Sequence, residues 1–121
     1  MDSKIDLIKK IDGKTLKNSY FNTNESPKVI SGIMMITTPT CVKCKAILAN
    51  EERLRETLPV GMFVYEFNGD EDGLSVLQDM GVATAPVMLY LGLKGEKAFK
   101  PITTMSDLAE FVNGLDSMFP D

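Results

Sequence analysis

Ile33-Met34-Met35-Ile36-Thr37-Thr38-Pro39-Thr40-Cys41-Val42-Lys43-Cys44-Lys45-Ala46-Ile47-Leu48 is the stretch that decides the fold of this 121-residue chain. An apolar, β-branched run stops at a short polar turn. Two cysteines follow, three positions apart, and a helical pattern continues behind them. A strand that delivers C-x-x-C to the first turn of a helix is the layout of a dithiol redox site. Unpaired backbone N–H groups and the positive end of the helix dipole favour an anion at that place. A cysteine there gives up its proton more readily, and the thiolate is the nucleophile. Lys43 and Lys45 add positive charge beside it.

Outward from this stretch, residues 29–37 read as a buried strand. The helix behind the cysteines is expected to run on to Thr57, with Ile47, Leu54 and Leu58 inward, and Pro59-Val60-Gly61 stops it. Residues 62–67 are aromatic and β-branched and read as a second strand. An acidic turn, residues 68–73, leads to a short helix with Leu74, Leu77 and Met80 at helical spacing. Residues 87–91 and 97–102 flank a glycine-containing turn and read as an antiparallel hairpin, with Pro101 marking an edge. Thr104-Met105-Ser106-Asp107 is a capping box, and Leu108, Phe111, Val112 and Leu115 trace one face of the helix it opens. Upstream, Ser3-Lys4-Ile5-Asp6 reads as the cap of a short helix carrying Ile5, Ile8 and Ile11, with Gly13 as its stop. Residues 15–28 are polar, residues 22–27 read as loop, and whether residues 16–21 form a short strand stays open.

The order after residue 28 is strand, helix, strand, helix, strand, strand, helix. That order predicts an α/β fold: a central mixed sheet of about four strands with helices on both faces and the cysteines at the C-terminal end of a strand. Residues 1–28 are read as a helix-and-loop extension and residues 29–121 as the domain.

The totals narrow the function. One domain of this length buries one core. The net charge of −4 and the absence of Trp argue against nucleic-acid binding. The charged N-terminus lacks the apolar core of a signal peptide, and the apolar stretch at residues 29–36 is too short to span a bilayer, so no membrane role and a cytoplasmic location are expected. A close cysteine pair in a reducing compartment points to catalysis or metal rather than to a structural staple.

Other readings were weighed on the residues. Zinc asks for four ligands, and the chain has two Cys and no His. A metal or iron–sulfur site would therefore be shared between two chains, and this binding module, using the pair for a shared site or for partner docking, is the alternative to the dithiol. Residues 68–79 fit a calcium loop at three positions, but Asn68 stands where Asp is expected and Asp79 where a bidentate Glu is needed. The eight Met residues are core fillers. The acidic residues of 51–72 read as a solvated face.

With these elements in place, the chain resembles the thioredoxin superfamily of small redoxins. Thr38-Pro39-Thr40-Cys41-Val42-Lys43-Cys44-Lys45 looks like the redoxin active-site loop, and Gly81-Val82-Ala83-Thr84-Ala85-Pro86-Val87 like the segment with the family's cis-proline. The closing hairpin and helix match the family's ending. The resemblance implies a thioredoxin-like fold and a dithiol–disulfide oxidoreductase. Cys41 is then the attacking thiol, Cys44 the resolving one, Lys43 and Lys45 the tuners of Cys41, and Thr40, Val42, Thr84, Ala85 and Pro86 the substrate contacts, with Ala85-Pro86 cis. It implies no cofactor beyond the cysteine pair, a monomer, and protein disulfides as substrates, ribonucleotide reductase among them. A thioredoxin reductase-like enzyme or glutathione would supply electrons. Departures are specific to this chain. Val42-Lys43 is neither Gly-Pro nor Pro-Tyr and is nearer the Val-Gln of glutaredoxin-like hydrogen donors. Thr40 replaces the usual Trp, and Met35 replaces the buried acid of thioredoxins. Thr84-Ala85-Pro86 is similar to the glutaredoxin Thr-Val-Pro, but the glutathione-holding Gly-Gly and acidic pair are missing, which leans toward the reductase.

Overall fold

The apolar run before the cysteines becomes the central strand of a five-stranded sheet in the computed structural model, which describes residues 7–22, 30–58 and 61–118. The elements are β1 (Ile8–Ile11), α1 (Gly13–Tyr20), β2 (Gly32–Thr37), α2 (Val42–Leu48), α3 (Glu51–Thr57), β3 (Met62–Glu66), α4 (Glu71–Met80), β4 (Val87–Leu91), β5 (Lys97–Pro101) and α5 (Met105–Met118). The strand order is β1-β3-β2-β4-β5. β1 and β2 run parallel to β3, while β4 is antiparallel to both β2 and β5. The mixed sheet and the hairpin are as the sequence indicates, and Pro101 lies in an edge strand, where its missing N–H breaks no ladder.

Each face of the sheet carries its own core. On one side Met35, Val64 and Met88 pack with Ile47 of α2, Leu54 of α3 and Leu108, Phe111 and Leu115 of α5. On the other, Met34, Ile36, Tyr65 and Leu89 pack with Leu16 and Tyr20 of α1 and Val76 and Met80 of α4. Alternate residues of β2 thus feed opposite cores, as the period of a strand requires. α5 opens on the capping box: Asp107 accepts from the N–H of Thr103 and Thr104, and Thr104 Oγ1 accepts from Asp107 N–H.

The N-terminal region corrects the sequence reading. Ile8–Ile11 is an edge strand, not part of a helix, which raises the sheet from about four strands to five. Its Ile8 and Ile11 spacing fits a helix turn, but the outer edge of β3 takes up its backbone hydrogen bonds instead. Gly13 begins a helix rather than ending one: the Asp12 carboxylate accepts from Thr15 N–H at 2.8 Å and caps α1. Residues 13–20, whose stretch 16–21 the sequence left open as a short strand, are that helix, with only Leu16 and Tyr20 as its apolar face and Asn18 and Ser19 buried beside them. Ser19 Oγ accepts from Ile30 N–H at 2.9 Å, tying α1 to the approach to β2. The described part of residues 1–28 therefore adds a strand to one edge and a helix to one face. The proposed cap at Ser3-Lys4-Ile5-Asp6, most of the loop before Lys28, Val29, and the stop residues Pro59-Val60 lie outside the described residues.

Two smaller corrections follow. The helix expected to run unbroken to Thr57 is two helices, because Asn50 leaves helical backbone (φ −90°, ψ 68°) and caps α3 through Arg53 N–H. Leu74, Leu77 and Met80, read as one stripe by their spacing, are not buried alike: Leu74 is 42% exposed, and α4 packs through Gly73, Val76 and Met80.

Candidate active site

Three loops meet at the C-terminal ends of β2 and β3. The first is the turn that joins β2 to α2. Cys41 N–H donates to Thr38 O at 3.2 Å, closing the turn, and Cys41 becomes the N-cap of α2 in extended backbone. Its Sγ accepts from Cys44 N–H at 3.0 Å. Cys41 and Cys44 are joined as a disulfide, with Cα atoms 5.3 Å apart. Cys41 is 9% exposed and Cys44 2%, so Cys41 is the less covered residue of the pair. Thr37 at the end of β2 is anchored below by a hydrogen bond from its Oγ1 to Tyr65 O.

The second loop brings residues 82–85 against this turn. The Ala85–Pro86 peptide bond is cis, and Pro86 is buried. Pro86 O accepts from Ile102 N–H at 3.0 Å, which fastens this loop to the end of the β4–β5 hairpin. The third is the segment from β3 into α4. Asp70 caps α4, taking Gly73 N–H on one carboxylate oxygen and the Tyr65 hydroxyl on the other. Burial pushes the Asp70 carboxyl up, but the hydrogen bonds from Tyr65 and Gly73 outweigh it and hold the group below the usual carboxylate value.

A groove of about 580 Å³ runs between α2 and α4 beside Cys41. Of the residues the sequence singles out, Cys41, Val42, Lys43, Thr84 and Ala85 line it. Thr40 is exposed in the turn just before Cys41, and Pro86 sits beneath the groove lining. Lys45 faces a different cleft, of about 650 Å³, on the Cys44 side of the disulfide, together with Thr37 and Glu66. Lys43 and Lys45 are both exposed. The opposite wall of the groove was missed in the sequence: it is Leu74, Leu77 and Gln78 of α4, with Phe67 and Val82 at its ends. The signal was the i, i+3 spacing of Leu74 and Leu77, which the sequence reading noted as a helical stripe with Met80 and did not connect to the cysteines.

α4 sorts its side chains. Toward α1 it turns Asp72, paired with Lys17 at 3.6 Å, and Asp79, which accepts from the Tyr20 hydroxyl at 2.7 Å. Toward the groove it turns leucine and glutamine. Among the described residues no group of three or more His, Cys, Asp or Glu is placed to hold a metal ion, and no helix is long and apolar enough to cross a membrane.

No protein-family model and no curated protein sequence matches the chain. Solved structures do. Thioredoxin f2 of Chlamydomonas reinhardtii is 17% identical with a TM-score of 0.58, over 94% of this chain and 98% of that one. A thioredoxin f2 in complex with ferredoxin:thioredoxin reductase is 14% identical with a TM-score of 0.63, over 90% and 94%. The C-terminal domain of DsbD from Neisseria meningitidis, in its reduced form, is 13% identical with a TM-score of 0.60, over 86% and 96%. With its β1-β3-β2-β4-β5 sheet and a disulfide at the start of α2, the chain has the thioredoxin fold.

Proposed function

We propose that the protein is a dithiol–disulfide oxidoreductase that reduces protein disulfides through Cys41 and Cys44. The observation that carries this reading is the bonded pair itself: Cys41 lies at the helix N-cap, is the more exposed cysteine, and borders an open groove. In the reduced protein the Cys44 N–H that reaches Cys41 Sγ, together with the charges of Lys43 and Lys45, favours the Cys41 thiolate. That thiolate attacks one sulfur of a substrate disulfide. The substrate S–S bond breaks, a Cys41–substrate disulfide forms, and the departing thiolate takes a proton. Cys44 then loses its proton and attacks Cys41 Sγ, which releases the second substrate thiol and restores the Cys41–Cys44 disulfide. Two electrons pass to the substrate, and the pair is the whole redox group.

Thr84 and Ala85 across the groove, with Thr40 and Val42 beside Cys41, form the substrate contacts, and Pro86 fixes their backing. Electrons return from a dithiol reductase. A fold shared with a thioredoxin solved with its reductase supports that class of partner, and the missing glutathione-holding residues favour it over glutathione. Ribonucleotide reductase is one candidate acceptor, and a reducing compartment such as the cytoplasm supplies the poise that this direction of flow needs.

Insulin reduction with dithiothreitol as electron source tests the reading. Turnover by the wild type, none by Cys41→Ser, and a trapped mixed disulfide with Cys44→Ser are expected. A folded, reduced wild type without turnover overturns it, and metal analysis of the purified protein then tests a cysteine pair shared between chains.

A further inference from the structure

The groove beside Cys41 is chemically one-sided. One wall is Val42, 78% exposed at the start of α2, and the other is Leu74 and Leu77 of α4. Among the described residues that line it, Lys43 is the single charged one. None of the three acids of α4 lines the groove: Glu71 lies outside its lining, and Asp72 and Asp79 are turned to Lys17 and Tyr20 on the far side of that helix. An exposed valine facing a half-exposed leucine leaves apolar surface in water, and an aliphatic side chain laid between them removes it. A lone ammonium at the lip of such a groove is complementary to a carboxylate. The chain's net charge of −4 opposes an anionic partner at long range, but salt screens this beyond about 8 Å, and the contact itself is decided by the groove.

We propose that the groove between α2 and α4 selects extended protein segments that carry an aliphatic residue next to the disulfide cysteine and a carboxylate within reach of Lys43. The inference rests on the dithiol reading and adds the substrate class. Leu74 and Leu77 recognise the aliphatic side chain, Lys43 the carboxylate, and Cys41 receives the cysteine sulfur. A reactive segment that is basic or polar at these positions leaves the leucines wet and places like charge on Lys43, so it reacts more slowly.

The test uses the full-length, reduced protein and short peptides whose one cysteine is held as a pyridyl disulfide. Attack of Cys41 on the peptide sulfur releases an uncharged, coloured pyridinethione, and the second-order rate is read from its appearance. Four peptides differ only in Leu or Ser after the cysteine and Glu or Lys two positions further on. The quantity read is the ratio of rates between peptides, from which any change in the intrinsic reactivity of Cys41 cancels. The wild type is expected to favour Leu over Ser by about tenfold and Glu over Lys by about threefold. Leu74→Ser should collapse the first ratio toward one and leave the second. Lys43→Glu should invert the second and leave the first. Pyridinethione release at equal rates from all four peptides overturns the selection while the dithiol reading stands. Wild-type ratios that survive both substitutions overturn the assignment to Leu74 and Lys43. No release from any peptide, with no insulin reduction, overturns the dithiol reading and this inference with it.

Discussion

Tyr65 donates its hydroxyl proton to Asp70 five residues ahead, across the bend where β3 gives way to α4. One side chain thereby joins the end of a core strand to the cap of the next helix, since the second oxygen of Asp70 holds Gly73 N–H. Hydrogen bonds to a charged partner are among the stronger ones, and Tyr65→Phe is expected to cost about 1.5 kcal/mol at neutral pH. The sign with pH follows from the depressed Asp70 carboxyl. Its stabilisation is present above the ordinary value of 3.8 and is lost as pH falls through the lower native value. Urea unfolding of wild type and Tyr65→Phe should therefore converge in acid, and a gap that widens on acidification contradicts the pairing.

Gly73 and Gly114 both lie inside helices and give opposite expectations for one substitution. A Cβ at Gly73 would overlap the Tyr65 hydroxyl and crowd Phe67, whereas a Cβ at Gly114 meets nothing within 4 Å. Gly114→Ala should stabilise by up to about 1 kcal/mol through helix propensity alone. Gly73→Ala gains the same propensity but overpacks a buried junction, for a net loss of about 1–2 kcal/mol. Paired thermal melts decide it.

Burial, followed by the hydrogen bond to Asp79 and its charge, pushes the Tyr20 phenol from 10.0 to about 12. A group raised in the native state contributes fully below its unfolded value and loses that contribution as pH rises through the native one. The protein should weaken between about pH 10 and pH 12, and Tyr20→Phe, which has no phenol to ionise, should show a shallower decline over that window. Denaturant titrations at about pH 8 and about pH 11 measure the difference.

Leu16 and Tyr20 are 0% and 4% exposed in the same core as Met34 and Ile36 of the central strand. Leu16→Ala should cost about 2–5 kcal/mol. We propose that a chain beginning at residue 29, which also leaves the β3 edge bare, loses cooperative unfolding by circular dichroism. Full disulfide reductase activity in that truncation would instead make residues 1–28 an accessory.

What could be read from the sequence was what is settled within a few residues. The β2-to-α2 stretch announces itself because an apolar run, Pro39 and the helical spacing behind Cys44 are adjacent. The capping box of α5 is equally local. β1 was illegible because Ile8 and Ile11 become strand only once β3 offers an edge. α1 hid because two of its buried residues, Asn18 and Ser19, are polar. In the site, the cysteines stood out by their spacing, and the Thr84-Ala85-Pro86 loop only through its resemblance to the redoxin segment. Leu74 did not, since a leucine at helical spacing reads as core until the packing shows that α4 presents Val76 and Met80 instead.

The division of α4 has an evolutionary reading. Asp72, Val76, Asp79 and Met80 hold the helix to α1 and the sheet, Leu74 and Gln78 line the groove, and Leu77 lines it while also packing against the core. Substitutions at Leu74 and Gln78 can drift without unseating the helix, so under the proposed selection target preference and foldability rest largely on separate residues. A lineage of this protein can change clients by rewriting one side of one helix and keep the rest of its sequence under an unrelated selection.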